Sequence, residues 1–143
     1  MQVNDRAQLL VDAGYGAGGR VTCNVLPAPD AYASTNNDWC KTQDVEGAKA
    51  LLAEAGWKDS NSDGTLDRMI DGERVDFEFT IITNNGNDLR KAILAIAQDA
   101  WKQIGIDVHT DLLEWSVFIQ ERVNKLDFDA LILGWSMGID PDL

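Results

Sequence analysis

The stretch "DSNSDGTLD" spaces oxygen-bearing side chains at every second position: Asp59, Asn61, Asp63, Thr65 and Asp67, with Gly64 among them. An EF-type calcium loop wants oxygen ligands at positions 1, 3 and 5, glycine at 6, a backbone oxygen at 7 and a bidentate acid at 12. Asp59, Asn61, Asp63, Gly64 and Thr65 meet the first five demands, Leu66 fits the hydrophobic eighth position and Asp67 the ninth. Position 12 is Ile70, which has no ligating oxygen, and Asp71 comes one residue late. Two readings stand side by side. One is a weak structural calcium site made by Asp59, Asn61, Asp63, Thr65 and Asp67; the other is a solvated acidic turn whose Asp and Asn side chains satisfy nearby backbone groups. Neither makes the chain a calcium sensor.

Other reactive residues are sparse. Cys23 and Cys40 bracket a loop rich in Pro, Ala, Ser and Asn. A bridge closing a loop of that length removes unfolded-chain entropy worth about 3 kcal/mol, so a Cys23–Cys40 disulfide in an oxidising compartment is expected. Gly14, Gly16 and Gly19 satisfy GxGxxG. A helical pattern precedes them and a loop follows, the reverse of the strand and helix that a dinucleotide site needs, so they read as a helix exit. His109 is the sole imidazole and alternates with Val108, which places it on the solvent side of a strand. Nothing sets a catalytic spacing between Glu114, Glu121 and Asp129, and no enzyme is expected.

The elements that must position these residues follow from periodicity. Val3, Ala7, Leu10 and Val11 recur at helical spacing before "GYGAGG". In "DVEGAKALLAEAGW", Val45, Ala48, Leu51, Leu52 and Ala55 form an apolar stripe ended by Gly56. "RVDFEFTIIT" alternates Val75, Phe77, Phe79 and Ile81 on one face, a strand pattern, and Asn84 to Asn87 form a turn. Leu89, Ala92, Ile93, Ile96, Ala100, Trp101 and Ile104 then make an amphipathic helix ended by Gly105. "IDVHTDLLEW" reads as a second strand, "SVFIQERVNK" as a short helix burying Val117, Phe118 and Val123, and "FDALILGW" as a third strand covered on both faces. Strand, helix, strand, helix, strand at these lengths is the α/β class, a parallel βαβαβ sheet with flanking helices. Ligands of such sheets bind beyond the carboxyl ends of the strands, here "TNNGN", "LLEW" and "GWSMGIDPDL".

With 143 residues, 45% of them hydrophobic, the chain has the material for one core. Its net charge of -12, from 24 acidic and 12 basic residues, argues against nucleic acid and anionic membrane surfaces as partners. No apolar run reaches the roughly 20 residues that span a bilayer, and residues 1 to 15 lack the pattern of a secretory signal. The chain is expected to continue past "PDL", since a buried strand there has no covering element.

The runs "AKALLAEAGW", "IGIDV", "EWSVF" and "DFDALILGW", in this order and at these distances, resemble the second lobe of family 5 extracellular solute-binding proteins, the receptors of peptide and nickel ABC importers. The likeness covers residues 44 to 142, and "NDRAQLLVDAGYGAGG" is similar to the segment entering that lobe. It implies one lobe of a type II periplasmic-binding-protein-like receptor: residues 1–43 as entry helix and Cys-bracketed loop, 44–136 as α/β core, and 137–143 as the start of a crossover. It further implies a monomeric receptor, periplasmic or extracellular at the cell surface, that captures a solute, most readily peptide-like, and delivers it to a membrane permease without catalysis. A sugar, opine or metal chelate as solute, or a calcium-stabilised extracellular binding module, is the alternative. The cleft segment of the family falls on Gly134, Trp135, Ser136 and Met137. Peptide-binding members carry an Asp three positions after that Trp to hold the peptide amine; Gly138 stands there, with Asp140 and Asp142 beyond it.

Overall fold

A computed structural model of the chain describes residues 44–134, which include one compact unit, Asp44–Leu133. Its helix α1 spans Val45–Glu54 and starts at an Asp44 cap, whose carboxylate accepts from the Gly47 N–H at 2.8 Å. That bond satisfies one of the orphan donors of the first turn. The expected stripe holds only in part. Leu52 packs against the core, whereas Leu51 is 68% exposed and α1 buries no residue fully. One layer of contact on a short helix uses a single edge of an apolar stripe.

The acidic loop does not lead straight into the sheet. A hairpin intervenes: β1 (Asp67–Ile70) pairs antiparallel with β2 (Glu73–Asp76), Ile70 opposite Glu73. Its two turn residues, Asp71 and Gly72, have φ of 52° and 89°. Positive φ at both central positions is what a two-residue hairpin turn of the primed kind demands, and Asp-Gly supplies it at least cost. The single strand expected from Arg74 to Thr83 is therefore two. Val75 belongs to the hairpin and is exposed, while β3 begins at Glu78 and runs to Asn84. Phe77 at the break still faces the core, its ring 4.5 Å from that of Trp57.

Strand β3 is the centre of a parallel three-stranded sheet in the order β4-β3-β5, with β4 at Asp107–Leu113 and β5 at Ala130–Leu131. The α/β class and the parallel sheet are as the periodicity implies. The third strand is shorter than its apolar run, because only Ala130 and Leu131 pair with β3 and both are half-buried.

Helix α2, Asp88–Lys102, links β3 to β4 and covers one sheet face. Leu94, Ile81, Ile106 and Val108 make the buried cluster there, with Phe79 and Trp101 meeting edge to face at 5.0 Å. The expected stripe omits Leu94, which is the residue α2 buries, and includes Ile96, which is exposed. Apolar residues surround more of this helix than one face, and packing on β3 and β4 selects the Leu94 and Trp101 side. Gly105 then reverses the chain at φ 82°, where an added Cβ would lie 2.8 Å from Leu66. Glycine is required there for conformation and for space. After β4 come helix α3 (Trp115–Val117), whose residues are all exposed, and a π-helical turn at Phe118–Val123 that packs against β3. Phe118 is fully buried; Val117, expected inside, is exposed, and Val123 is half-buried.

Candidate functional site

Because the three strands run parallel, their carboxyl ends share one edge. After β3 come Asn85, Gly86 and Asn87. Asn87 caps α2, its side-chain oxygen accepting from the Arg90 N–H at 2.9 Å, which ends the strand and starts the helix within three residues. The Arg90 guanidinium donates back to the Asn84 side-chain oxygen, and the Asn84 amide group donates to the Asn85 carbonyl at 2.7 Å. The Asn85 N–H donates to the Leu113 carbonyl at 2.7 Å, which ties the β3 exit to the β4 exit. On the other flank the Thr83 hydroxyl, fully buried, donates to the Ile132 carbonyl at 2.8 Å. The three exits thus form one hydrogen-bonded rim.

Trp115 stands on this rim. Glu114 caps the turn beneath it, one carboxylate oxygen accepting from Ser116 N–H at 2.7 Å, from Val117 N–H at 3.3 Å and from the Ser116 hydroxyl. The Ser116 bonds, its hydroxyl first, hold the Glu114 carboxyl below its ordinary range. So fixed, the turn presents an indole that is 51% exposed, beside exposed Leu112 and Val117. An aromatic body with a polar tip, held on a capped turn and left in solvent, is a ready platform for an apolar or amphipathic ligand group. The sequence points to "LLEW" as a ligand edge but not to Trp115 within it. A half-buried core tryptophan has the same pattern, and only packing separates the two.

Of the expected cleft residues, Gly134 follows β5 by three residues and is exposed. Trp135, Ser136 and Met137 lie outside the described residues, as do Gly138, Cys23 and Cys40, and Gly14, Gly16 and Gly19.

In the acidic loop the structure shows where each carboxylate turns. Asp59 accepts from the N–H groups of Asp63 (3.2 Å) and Gly64 (3.0 Å), and Asp63 accepts from Thr65 N–H (2.8 Å) and from the Asn61 side-chain amide (2.7 Å). Asp67 is buried in β1 and takes the Ser60 N–H (2.8 Å) and hydroxyl (2.7 and 2.8 Å). Hydrogen bonds of the charged form lower the carboxyls of Asp63, through Thr65 and then Asn61, and of Asp67, through Ser60. Ile70 and Asp71, where a twelfth ligand would stand, are committed to the hairpin. His109, as expected, is exposed on β4, and its Nε2 lies 3.6 Å from Glu78 and 3.8 Å from Asp107.

Comparisons with known proteins agree on one family. A model described as "Bacterial extracellular solute-binding proteins, family 5 Middle" matches residues 5–143. The chain is 48% identical over 97 residues to the oligopeptide-binding protein AppA of Bacillus subtilis, 66% of this chain and 17% of that protein. The structure of B. subtilis AppA in complex with a nonapeptide superposes with a TM-score of 0.68 at 34% identity, over 98% of this chain and 27% of that one. An oligopeptide-binding protein from Thermus thermophilus, complexed with a pentapeptide, superposes at 0.77 and 26% identity, over 98% of this chain and 23% of that one. The chain thus spans under a third of the length of each.

Proposed function

Because the chain belongs to the bacterial extracellular solute-binding proteins of family 5, we propose that it forms part of one lobe of a receptor that captures a peptide-like solute outside the cytoplasm, in the periplasm or at the cell surface, and hands it to an ABC permease. The reading is carried by the exposed indole of Trp115 on the rim where the β3 and β4 exits are bonded together. Residues Gly134, Trp135, Ser136 and Met137 extend that wall in this reading. Named relatives that bind oligopeptides, and structures holding a nonapeptide and a pentapeptide, support a peptide over a sugar or opine.

A rim rich in amides suits such a ligand. Asparagine amides and backbone groups offer both donors and acceptors to a peptide backbone, and the indole packs on a side chain without demanding one sequence. Gly138 supplies no carboxylate for the peptide amine. That charge is then met by Asp140, Asp142 or the opposite lobe. The functional step is closure of two lobes about a hinge and not bond chemistry. We read the acidic loop as a connector that closes on its own amides, supported by the bonds that occupy Asp59, Asp63 and Asp67.

The test is a thermal melt of the two-lobed receptor against di- to pentapeptides, oligosaccharides, opines and nickel, with and without 1 mM calcium. A ligand at about 100 times its Kd stabilises the folded form by about 2.7 kcal/mol. Peptides are expected to raise the midpoint and calcium to leave it in place. A rise with sugars or opines alone would overturn the peptide assignment, and a rise with calcium would overturn the self-closed loop.

A further inference from the structure

The opposite end of the sheet gathers a different set of groups. Glu78 opens β3 and Asp107 opens β4, and the parallel register places them directly opposite each other. His109, two residues along β4, shares their face, since side chains alternate along a strand. The ligating atoms of the three all lie within 4.8 Å of one another. Like charges directly opposed on paired strands destabilise the pairing. Among the described residues, the basic group within ion-pair distance of both carboxylates is His109.

We propose that Glu78, Asp107 and His109 bind a first-row transition-metal dication of the zinc type at the amino end of the sheet. Two ligand atoms at a tetrahedral zinc, each about 2.1 Å from the ion, are about 3.4 Å apart. The observed 3.6 and 3.8 Å from Nε2 to the two carboxylates need only a small rotamer adjustment to close on such an ion. One imidazole with two carboxylates suits zinc, nickel or copper, whereas calcium wants six to eight oxygens and gains nothing from the ring. The ladder fixes the backbone beneath: the Asp107 N–H donates to the Phe77 carbonyl at 3.0 Å, one residue before the site. The ion cancels the repulsion between Glu78 and Asp107 and pins β3 to β4 where the ladder begins. Six strand steps, about 20 Å, separate Glu78 from the carboxyl rim, so this is a site apart from the solute wall.

The test uses the chain without a histidine tag, so that His109 is its one imidazole. Zinc chloride is titrated by calorimetry and by proton NMR of that ring, with calcium chloride in parallel. One equivalent of zinc is expected to shift the ring protons while calcium leaves them unmoved. Removing even a group that orients a metal ligand costs about ten- to a hundred-fold in affinity, so His109→Gln and Glu78→Gln should each cost about ten-fold or more. All three ligands are exposed, so the variants should fold, and Glu46→Gln, a surface acid on α1, serves as control. The proposal falls if zinc binds without moving the ring protons, if calcium moves them equally, or if E46Q weakens zinc as much as H109Q does.

Discussion

The two ends of the parallel sheet are built from opposite materials. Its amino end collects ionisable groups, with Glu78, Asp107 and His109 on the strands, the carboxylates of Asp59 and Asp63 in the loop before the hairpin and that of Asp67 at the start of β1. Its carboxyl end is richer in amides, with asparagines at 84, 85 and 87 and an exposed indole at Trp115; of the charged groups there, Glu114 is spent on capping its own turn and Arg90 on the Asn84 side chain. The proposed dication belongs to the charged end. A rim of amide donors and acceptors with an aromatic face can hold a peptide backbone, and the shared core keeps the two ends apart.

Ile81→Ala should have the largest effect, because Ile81 lies midway along β3 in the cluster with Leu94, Ile106 and Val108. A buried Ile-to-Ala change costs about 2–5 kcal/mol. Denaturant unfolding should show that loss, with both ends weakened together. A variant that damaged one end and spared the other would show that they do not share a core.

A smaller effect sharpens the contrast at the acidic end. The Ser60 hydroxyl and N–H hold the Asp67 carboxyl below its ordinary value of 3.8. The folded value lies below the unfolded one, so this stabilisation is full above about pH 4 and is lost as pH falls through the folded value. Ser60→Ala removes the hydroxyl bonds, so the variant should be less stable than the parent at pH 6 and converge on it toward pH 2. Melts across that range check it; parallel curves would mean that Ser60 does not set the Asp67 titration.

The positions where sequence and structure part have physical reasons. Helix α2 and strand β4 were legible because long periodic runs leave little choice of element, and the parallel class followed from their order. The hairpin was not, although Asp71-Gly72 is a strong turn signal. A calcium-loop template laid over residues 59–70 claimed Asp67 and Ile70 as ligand positions and hid β1. Leu51 and Leu94 show the same limit on helices, since a stripe tells which residues are apolar but not which edge meets the sheet. The carboxyl rim was legible as a place, through the rule for parallel strands, while the exposure of Trp115 depends on the Glu114 cap. The His109 cluster was out of reach, because it rests on the register that sets Glu78 beside Asp107, 29 residues further along the chain.

Trp115→Ala should be the mildest change to the fold, within about 0.5 kcal/mol, because the indole stands on the surface. Its effect on binding should be large, since a central aromatic anchor is worth about 2 kcal/mol or more. The direct measurement is calorimetric titration of the two-lobed receptor and its W115A variant with the peptide that most raises its melting midpoint. The account predicts at least about a ten-fold loss of affinity at unchanged ligand-free stability. Equal affinity in the two proteins would contradict the placement of the solute wall at the carboxyl end of this sheet.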